Sequence, residues 1–158
     1  MLVVGRVGWG PSLRPSSLTP NEQYTHLSLW CLLAAPLLLG CDLQNLDEFT
    51  LGLLTNDEVL EVSQDPLGRQ AGRVAADGPT QVWAKDMADG SKAVGLFNLD
   101  DSESRTVTVR WSDLRLSGPH AVRDLWQQKD LGTFDGNFEV RVLVHGVVLV
   151  RISPQPAN

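Results

Sequence analysis

The sequence is poor in cysteine, with only two among 158 residues, Cys31 and Cys41. Two cysteines are too few for a disulfide-stabilised scaffold. Because cysteines and histidines do not cluster, a zinc site is not expected either. Free cysteine is commonly buried, so we expect two buried thiols. The sequence gives no reason to expect a metal ion or a cofactor, and the acidic run Asp100–Glu103 has the composition of a solvated turn.

Basic residues are also scarce. The chain has 13 Lys and Arg against 19 Asp and Glu, which gives a formal net charge of −6. A nucleic-acid-binding protein needs clustered positive charge to neutralise phosphates, so no nucleic-acid partner is expected. Hydrophobic residues make up 42% and charged residues 20% of the chain, a balance typical of a folded globular protein and not of a disordered one.

Long hydrophobic runs are absent, and the nearest approach to one is Leu27–Cys41. This run is shorter than the ~20 residues that span a bilayer, and Pro36 interrupts it. Its ending, Leu-Leu-Gly-Cys, is similar to a bacterial lipoprotein cleavage box, which makes a lipid anchor at Cys41 one alternative. However, the preceding residues include Glu22 and only two basic residues, whereas a signal peptide begins with a short basic region. We therefore expect no membrane partner.

The first third of the chain contains two short apolar runs that predict buried parallel strands, Met1–Gly5 and Leu37–Cys41. Residues 6–18 are rich in Gly, Pro and Ser and are predicted to form a loop. With a helix between them, the two strands make a right-handed βαβ unit. Two parallel strands cannot build a covered sheet alone, so this third is predicted to be part of a larger α/β structure.

Two helices are predicted in the same third. Thr19-Pro20-Asn21-Glu22 has the residues of a capping box with proline at the first helical position, and apolar residues follow at helical spacing until Pro36. A second helix is predicted over Leu46–Leu54, with Leu46, Phe49, Leu53 and Leu54 on its apolar face and Thr50 outside that face.

The stretch Asn56–Gly68 (NDEVLEVSQDPLG) marks a change of architecture. Asn56 can cap a short helix whose first turn contains two acidic residues, which the helix dipole favours. Asp65-Pro66 ends that helix, because proline disfavours a helical conformation in the residue before it. Gly68 then allows a change of direction. The sequence therefore predicts a junction here, between a remnant of one domain at 1–55 and a second domain at 69–158.

After the junction the hydrophobic pattern changes to period two, with turn residues between short runs. Asp89-Gly90 is a good hairpin signal. The spacing predicts an antiparallel sandwich of about seven or eight strands, and a sandwich of this size could fold alone. The strands recognised in the sequence are 81–85, 93–98, 106–111, 121–126, 138–144 and 146–152.

Several of these segments together resemble the C-terminal part of the retaining α-galactosidases and α-N-acetylgalactosaminidases of glycoside hydrolase family 27. The resemblance implies a fold that is α/β plus all-β: the last strands and helices of a (β/α)8 TIM barrel, followed by an antiparallel β-sandwich. The matching segments occur in the family's order, and they are LSLWCLLAAPLLLGCDL (27–43), LLTNDEVLEVSQDPLG (53–68), QVWAKDMADGSKAVGLFN (81–98), DLW (124–126) and HGVVLVRI (145–152).

The resemblance places no catalytic residue in this chain. Retaining glycosidases use two carboxyl groups ~5–5.5 Å apart, and in this family both are aspartates that precede the position of Met1. Met1 itself matches a position on the wall of the family's substrate pocket. Asp42 follows a predicted barrel strand, where active sites form, but we favour a role in capping the next helix or holding a turn. Asp65 and Asp124 match structural positions.

The histidines and tryptophans are the remaining candidates for catalysis or sugar binding. We assign no catalytic role to the three histidines, His26, His120 and His145, because no nucleophile–histidine–acid pattern is evident. Trp83, Trp111 and Trp126 could stack on sugar rings, but large aromatics on sandwich strands more often belong to the core or to an interface.

The resemblance implies an α-galactosidase that releases terminal α-linked galactose from an oligosaccharide or glycoconjugate substrate. The chain alone is expected to be an inactive C-terminal fragment. An accessory sandwich module that binds carbohydrate or a partner protein is the alternative. A homodimer and a secreted or periplasmic location are further expectations for the full-length protein.

Overall fold

The structure is a computed structural model and describes residues 1–154. The two runs predicted as parallel strands do meet, but through single bridges and not as full strands. Leu2 forms a parallel bridge with Leu39, and Cys41 forms an antiparallel bridge with Val7. The predictions of strands at Met1–Gly5 and Leu37–Cys41 are therefore wrong in extent, because the described residues supply too few neighbouring strands to continue either ladder.

The segment predicted as a loop at residues 6–18 contains a small hairpin. Strand β1 (Arg6–Val7) pairs with β2 (Arg14–Pro15), and a 3₁₀ turn at Gly10–Ser12 lies between them. The hairpin is attached to the chain before it, since the Ser16 backbone N–H donates to the Gly5 carbonyl at 2.7 Å. The loop composition was recognised correctly, but two-residue strands are too short to produce a periodic pattern.

Helix α1 (Pro20–Leu32) begins as predicted. The Thr19 hydroxyl accepts from the Glu22 backbone N–H, and the Glu22 carboxylate accepts from the Thr19 N–H. The helix ends at Leu32, earlier than the predicted end before Pro36, because Ala34 adopts a left-handed conformation with φ of 50°.

Helix α2 (Glu48–Thr55) starts two residues later than predicted, because Asp47 caps it by accepting from the Thr50 backbone N–H. Thr50 was predicted to lie outside the apolar face, yet it is buried. The reason is close packing on Gly5, where an added Cβ would lie 2.7 Å from Thr50 Cγ2. Helix α3 (Asp57–Gln64) follows directly, and the Asn56 side chain caps it as predicted.

The rest of the described chain forms eight antiparallel strands, as the turn spacing predicted. The strands are β3 (Gly72–Asp77), β4 (Thr80–Asp86), β5 (Lys92–Asn98), β6 (Arg105–Arg110), β7 (Pro119–Asp124), β8 (Lys129–Asp135), β9 (Asn137–Val142) and β10 (Val147–Pro154). A six-stranded sheet has the order β3-β4-β5-β10-β7-β8, and β6 pairs with β9 to form a second, two-stranded sheet.

The sequence predicts Trp111 to end a strand, but in the structure Trp111 begins a short helix, α4 (Trp111–Leu114).

Two strands, β3 and β8, were not recognised in the sequence. Both are edge strands of the large sheet, and most of their residues are exposed, so the alternation of buried and exposed positions is lost. The predicted domain 69–158 ends in four residues, 155–158, that lie outside the described part.

The six-stranded sheet separates two hydrophobic cores. One face packs against the β6–β9 sheet through residues such as Val94, Leu96 and Val150. The other face packs against the helices, where Leu27 of α1 and Val59 and Val62 of α3 share one cluster with Phe97 and Leu149 of the sheet and Leu125 of the turn after β7. The molecule therefore has three layers: helices, a large sheet and a small sheet.

Candidate functional site

The bridge between Leu2 and Leu39 places the two predicted barrel strands side by side. The Leu2 N–H donates to Leu38 O at 2.7 Å, and the Gly40 N–H donates to Leu2 O at 3.0 Å. Met1 lies beside Gly40, where an added Cβ would be 2.8 Å from Met1 Cγ and 2.7 Å from Leu2 O. Only glycine leaves room for this approach. Met1 is 71% exposed at this edge, and its assignment to a substrate pocket stays a prediction.

Asp42 follows the same strand end and holds a turn. One carboxylate oxygen accepts from the Gln44 backbone N–H at 3.0 Å, and the other accepts from Asn45 Nδ2 at 2.8 Å. The hydrogen bond from the Asn45 side chain is the main reason that the pKa of Asp42 is lowered, followed by that from Gln44. Asp47 caps the following helix. A carboxylate that is ionised and engaged in this way is suited to turn formation, not to proton transfer.

The histidines are engaged in separate structural contacts. His26 Nε2 accepts from the Val3 backbone N–H at 3.4 Å, and burial lowers the pKa of His26. His120 is buried, and its Nδ1 lies 3.0 Å from the Gly118 carbonyl, so Nδ1 carries the proton. These two contacts fix both rings in place.

His145 connects three separate segments. Its Nε2 lies 2.8 Å from an Asp101 carboxylate oxygen, and its Nδ1 lies 3.1 Å from Glu22 Oε1. The hydrogen bond with Asp101 is the largest cause of the raised pKa of His145, and Glu22 adds to it. The Thr25 hydroxyl donates to the His145 carbonyl at 2.8 Å. The β9–β10 turn is thereby attached to the first turns of α1.

The tryptophans that could stack on sugar rings are mostly used in packing. Trp111 is 2% exposed and donates its indole N–H to Gly118 O at 3.0 Å, so it belongs to the core and cannot stack on a ligand. Trp83 is half-buried against the helix-side core. Trp126 is also half-buried, and its indole N–H donates to the Ser28 hydroxyl at 2.8 Å.

The prediction of two buried thiols is half correct. Cys31 is buried, and burial raises its pKa to about 12. Cys41 is only half-buried, because its bridge with Val7 lies at the edge of the molecule. Within residues 1–154, no group of three or more His, Cys, Asp or Glu side chains could hold a metal ion. Asp100 accepts from Ser102 N and from the Arg105 guanidinium, as expected of a solvated turn.

The junction is fixed to the sandwich at its first residue. Asn56 Oδ1 accepts from the Val59 backbone N–H at 3.1 Å and so caps α3, while Nδ2 donates to Leu125 O at 3.1 Å and Trp126 O at 3.3 Å. One side chain therefore begins the helix and attaches it to the turn between β7 and β8.

Helix α3 carries two ion pairs to the large sheet, one from its first turn and one from its middle. Arg123 binds Glu58 in a bidentate manner, with N–O distances of 2.8 and 2.7 Å. Arg151 Nη2 lies 2.8 Å from Glu61 Oε2. A bidentate guanidinium–carboxylate pair fixes the orientation of both partners. The acidic residues of the junction are thus used for docking on the sheet.

The end of α3 is held by a buried lysine and a buried aspartate. Lys85 Nζ donates to Val62 O at 2.7 Å, where the last carbonyls of a helix lack helical partners and carry the negative end of the dipole. Asp65 accepts from Leu67 N at 3.1 Å and from Ala88 N at 2.8 Å. The aspartate of the Gln-Asp-Pro-Leu-Gly stretch is therefore a structural residue, as the sequence suggested.

A cavity of about 390 Å³ lies between the start of α1 and the large sheet. It combines aromatic side chains with amides, a carboxylate and a guanidinium. Asp124 is the most buried charged group in its wall, at 5% exposure, and burial raises the pKa of Asp124. The lining residues include Asn21, Tyr24, Asp124, Trp126, Gln127 and Arg141.

Comparisons with known proteins agree with this architecture. The family model described as "Alpha galactosidase A" matches residues 1–65, and the one described as "Alpha galactosidase C-terminal beta sandwich domain" matches residues 77–152. A probable α-galactosidase of Dictyostelium discoideum is 38% identical over 98% of this chain, and an α-galactosidase of Coffea arabica is 37% identical over 87%. This chain belongs to the α-galactosidase family.

Solved structures of the family show the same fold. A GH27 β-L-arabinopyranosidase from Geobacillus stearothermophilus superposes with a TM-score of 0.91 over 99% of this chain at 33% identity. α-Galactosidase I from Mortierella vinacea gives 0.82 over 85% at 33% identity. The fold is therefore the last part of a (β/α)8 barrel followed by a β-sandwich, as the resemblance implied.

The chain spans less than half the length of these relatives. It covers 39% of the Dictyostelium relative, 37% of the Coffea relative and 37% of the Geobacillus structure. Two lining residues of the cavity were considered from the sequence, Trp126 as a possible sugar-stacking residue and Asp124 as a structural one. The sequence did not single out Asn21, Tyr24, Gln127 and Arg141, because they come from α1, the β7–β8 turn and β9, far apart in the chain.

Proposed function

We propose that this chain is the C-terminal part of an α-galactosidase, a retaining glycoside hydrolase that releases terminal α-linked galactose from oligosaccharides or glycoconjugates. The observation that carries this proposal is the pair of family models, which match residues 1–65 and 77–152 in the order found in whole α-galactosidases. Residues 1–55 would complete the catalytic barrel, 56–68 would join the domains, and 69–158 would form the sandwich.

The apolar surface of the first third supports this arrangement. Met1, Val3, Leu38, Leu39, Leu43 and Leu51 are between 42% and 71% exposed. Exposed apolar groups at this density mark a surface that another element covers. In a (β/α)8 barrel, neighbouring strands and helices would cover it. Both catalytic aspartates would come from sequence that precedes the position of Met1 in the relatives, and Met1 would contribute to the pocket wall.

A chimera tests the proposal directly. Residues 1–158 would replace the matching C-terminal region of the Dictyostelium relative, and the chimera would be assayed with the chromogenic substrate p-nitrophenyl α-D-galactopyranoside. We expect turnover by the chimera, and none by the relative truncated before the matched region or by residues 1–158 alone. A folded chimera without turnover, or turnover by residues 1–158 alone, would contradict the proposal.

The comparison with the Geobacillus structure raises the question of which sugar the full-length enzyme releases, and the same assay can answer it. That protein is a β-L-arabinopyranosidase, so the chimera should also be tested with p-nitrophenyl β-L-arabinopyranoside. We expect the α-galactoside to have the higher kcat/KM, because the relatives named above from Dictyostelium and Coffea are α-galactosidases. A preference for the arabinopyranoside would mean that the enzyme is a glycoside hydrolase whose substrate is not an α-galactoside.

A further inference from the structure

The cavity between α1 and the large sheet has a wall that is already rigid. Tyr24 makes edge-to-face contacts with Trp126, at a centroid distance of 4.7 Å, and with Phe49 at 5.6 Å. The Trp126 indole is held by its hydrogen bond to Ser28. Because these rings contact each other as well as Phe49 and Ser28, which lie outside the lining, a ligand would not have to order them on binding.

Polar groups in the same cavity still have free hydrogen-bonding capacity. Within residues 1–154, three polar side-chain groups of the lining form no hydrogen bond or ion pair with another protein group. They are the Tyr24 hydroxyl, the Gln127 side-chain amide and the Arg141 guanidinium. Asn21 is different, because its Nδ2 donates to Val144 O at 3.1 Å, which leaves its side-chain oxygen as a free acceptor. These donors and acceptors belong to residues that line one partly open cavity.

The cavity also carries charge of both signs. The buried Asp124 carboxylate is oriented by the Gln127 backbone N–H at 2.9 Å. Arg141 lines the same cavity and does not form an ion pair with it. An anion would be repelled by the carboxylate, and a cation by the guanidinium. A neutral ligand with several hydroxyl groups can donate to the first and accept from the second.

We propose that this cavity binds a neutral pyranose saccharide, packed against the aromatic wall that Tyr24 and Trp126 form, with its hydroxyl groups on Asn21, Asp124, Gln127 and Arg141. Its volume of about 390 Å³ falls within the ~300–1,000 Å³ of pockets that hold small molecules. The combination of a few polar groups with an aromatic wall is also that of such pockets. This site is independent of the proposed hydrolase activity, because all its residues belong to the present chain.

The test is a titration of residues 1–158, followed by NMR at the Trp126 indole N–H, with methyl α-D-galactopyranoside, methyl α-D-glucopyranoside, lactose, sorbitol and inorganic phosphate as probes. We expect saturable shifts with at least one of the cyclic saccharides and none with sorbitol or phosphate. Absence of saturation with every saccharide, or tighter binding of phosphate, would overturn the proposal.

Three variants locate the bound saccharide. Arg141→Ala should weaken binding at least about tenfold, the effect of losing a hydrogen bond to a charged group. Tyr24→Phe removes only the hydroxyl and should weaken binding roughly threefold to tenfold. Arg73→Ala is the matched control, since Arg73 is also an exposed strand arginine but lies outside the cavity. Equal loss in Arg73→Ala and Arg141→Ala, or no loss in Arg141→Ala, would place the saccharide elsewhere and refute the site.

Discussion

Replacing Asn56 separates two roles that one side chain performs at the junction. Asn56 Oδ1 caps α3, and Nδ2 donates to the carbonyls of Leu125 and Trp126. Asn56→Ala removes both functions, whereas Asn56→Asp keeps an acceptor for the cap and removes the donor. Asp47→Ala is the matched control, because Asp47 caps α2 and is exposed, without a contact to the sandwich.

The structure sets the expected magnitudes. Loss of an N-cap costs roughly 0.5–2 kcal/mol of unfolding free energy, typically about 1. Loss of the amide donor leaves the Leu125 carbonyl without its partner, which costs about 1–3 kcal/mol where the group is buried. We therefore expect Asn56→Ala to lower the unfolding free energy by about 2–4 kcal/mol, Asn56→Asp by about 1–3, and Asp47→Ala by about 1.

The assay is urea unfolding of residues 1–158, followed by tryptophan fluorescence at a fixed temperature. The comparison of midpoints is meaningful if the slope of unfolding free energy against urea is the same in all four proteins. The reasoning would be refuted if Asn56→Ala cost no more than Asp47→Ala. In that case Asn56 would act as an ordinary helix cap, and its two hydrogen bonds to the sandwich would contribute nothing measurable.

Two further predictions concern titratable groups. Because Asp101 and Glu22 raise the pKa of His145, its stabilising contribution should be fully present below pH ~6.5, the unfolded value, and should be lost as pH rises through the folded pKa. His145→Asn, whose side chain tolerates the positive φ of 51°, should flatten that part of the stability profile, and an unchanged profile would contradict the assignment. Cys41 should react with iodoacetamide before Cys31 at neutral pH, because burial raises the pKa of Cys31 to about 12. Mass spectrometry of partly alkylated protein would show the order, and equal rates would contradict the burial.

Features set by local chemistry were predictable from the sequence. The capping box at Thr19, the cap at Asn56 and the stop at Asp65-Pro66 each depend on a few neighbouring residues, and the structure has all three. The turn spacing likewise gave the number of sandwich strands. The edge strands β3 and β8 escaped recognition, because a strand paired on one side with mostly exposed faces has no periodic apolar pattern.

Features set by long-range packing were not predictable. Thr50 was placed outside the apolar face of α2 by periodicity, yet it is buried against Gly5, 45 positions earlier in the chain. The cavity is a stronger case, because Tyr24 and Arg141 have no local signature that relates them. In the sequence, Tyr24 is one more residue of the apolar helix face and Arg141 is an ordinary strand arginine, and only the fold brings α1 next to β9 and β10.

A third feature set by long-range packing is whether the sandwich can fold without the helices. Size alone suggested that residues 69–154 could fold by themselves. The large sheet, however, has its second face covered by α1 and α3, and Phe97 and Leu149 share a core with Leu27 and Val59. Without the helices, that sheet face would be exposed to water, and Lys85 and Arg123 would lose their partners in α3. The shared core therefore argues that the helices and the sandwich fold as one unit, which the hydrogen bonds and ion pairs of the junction hold together.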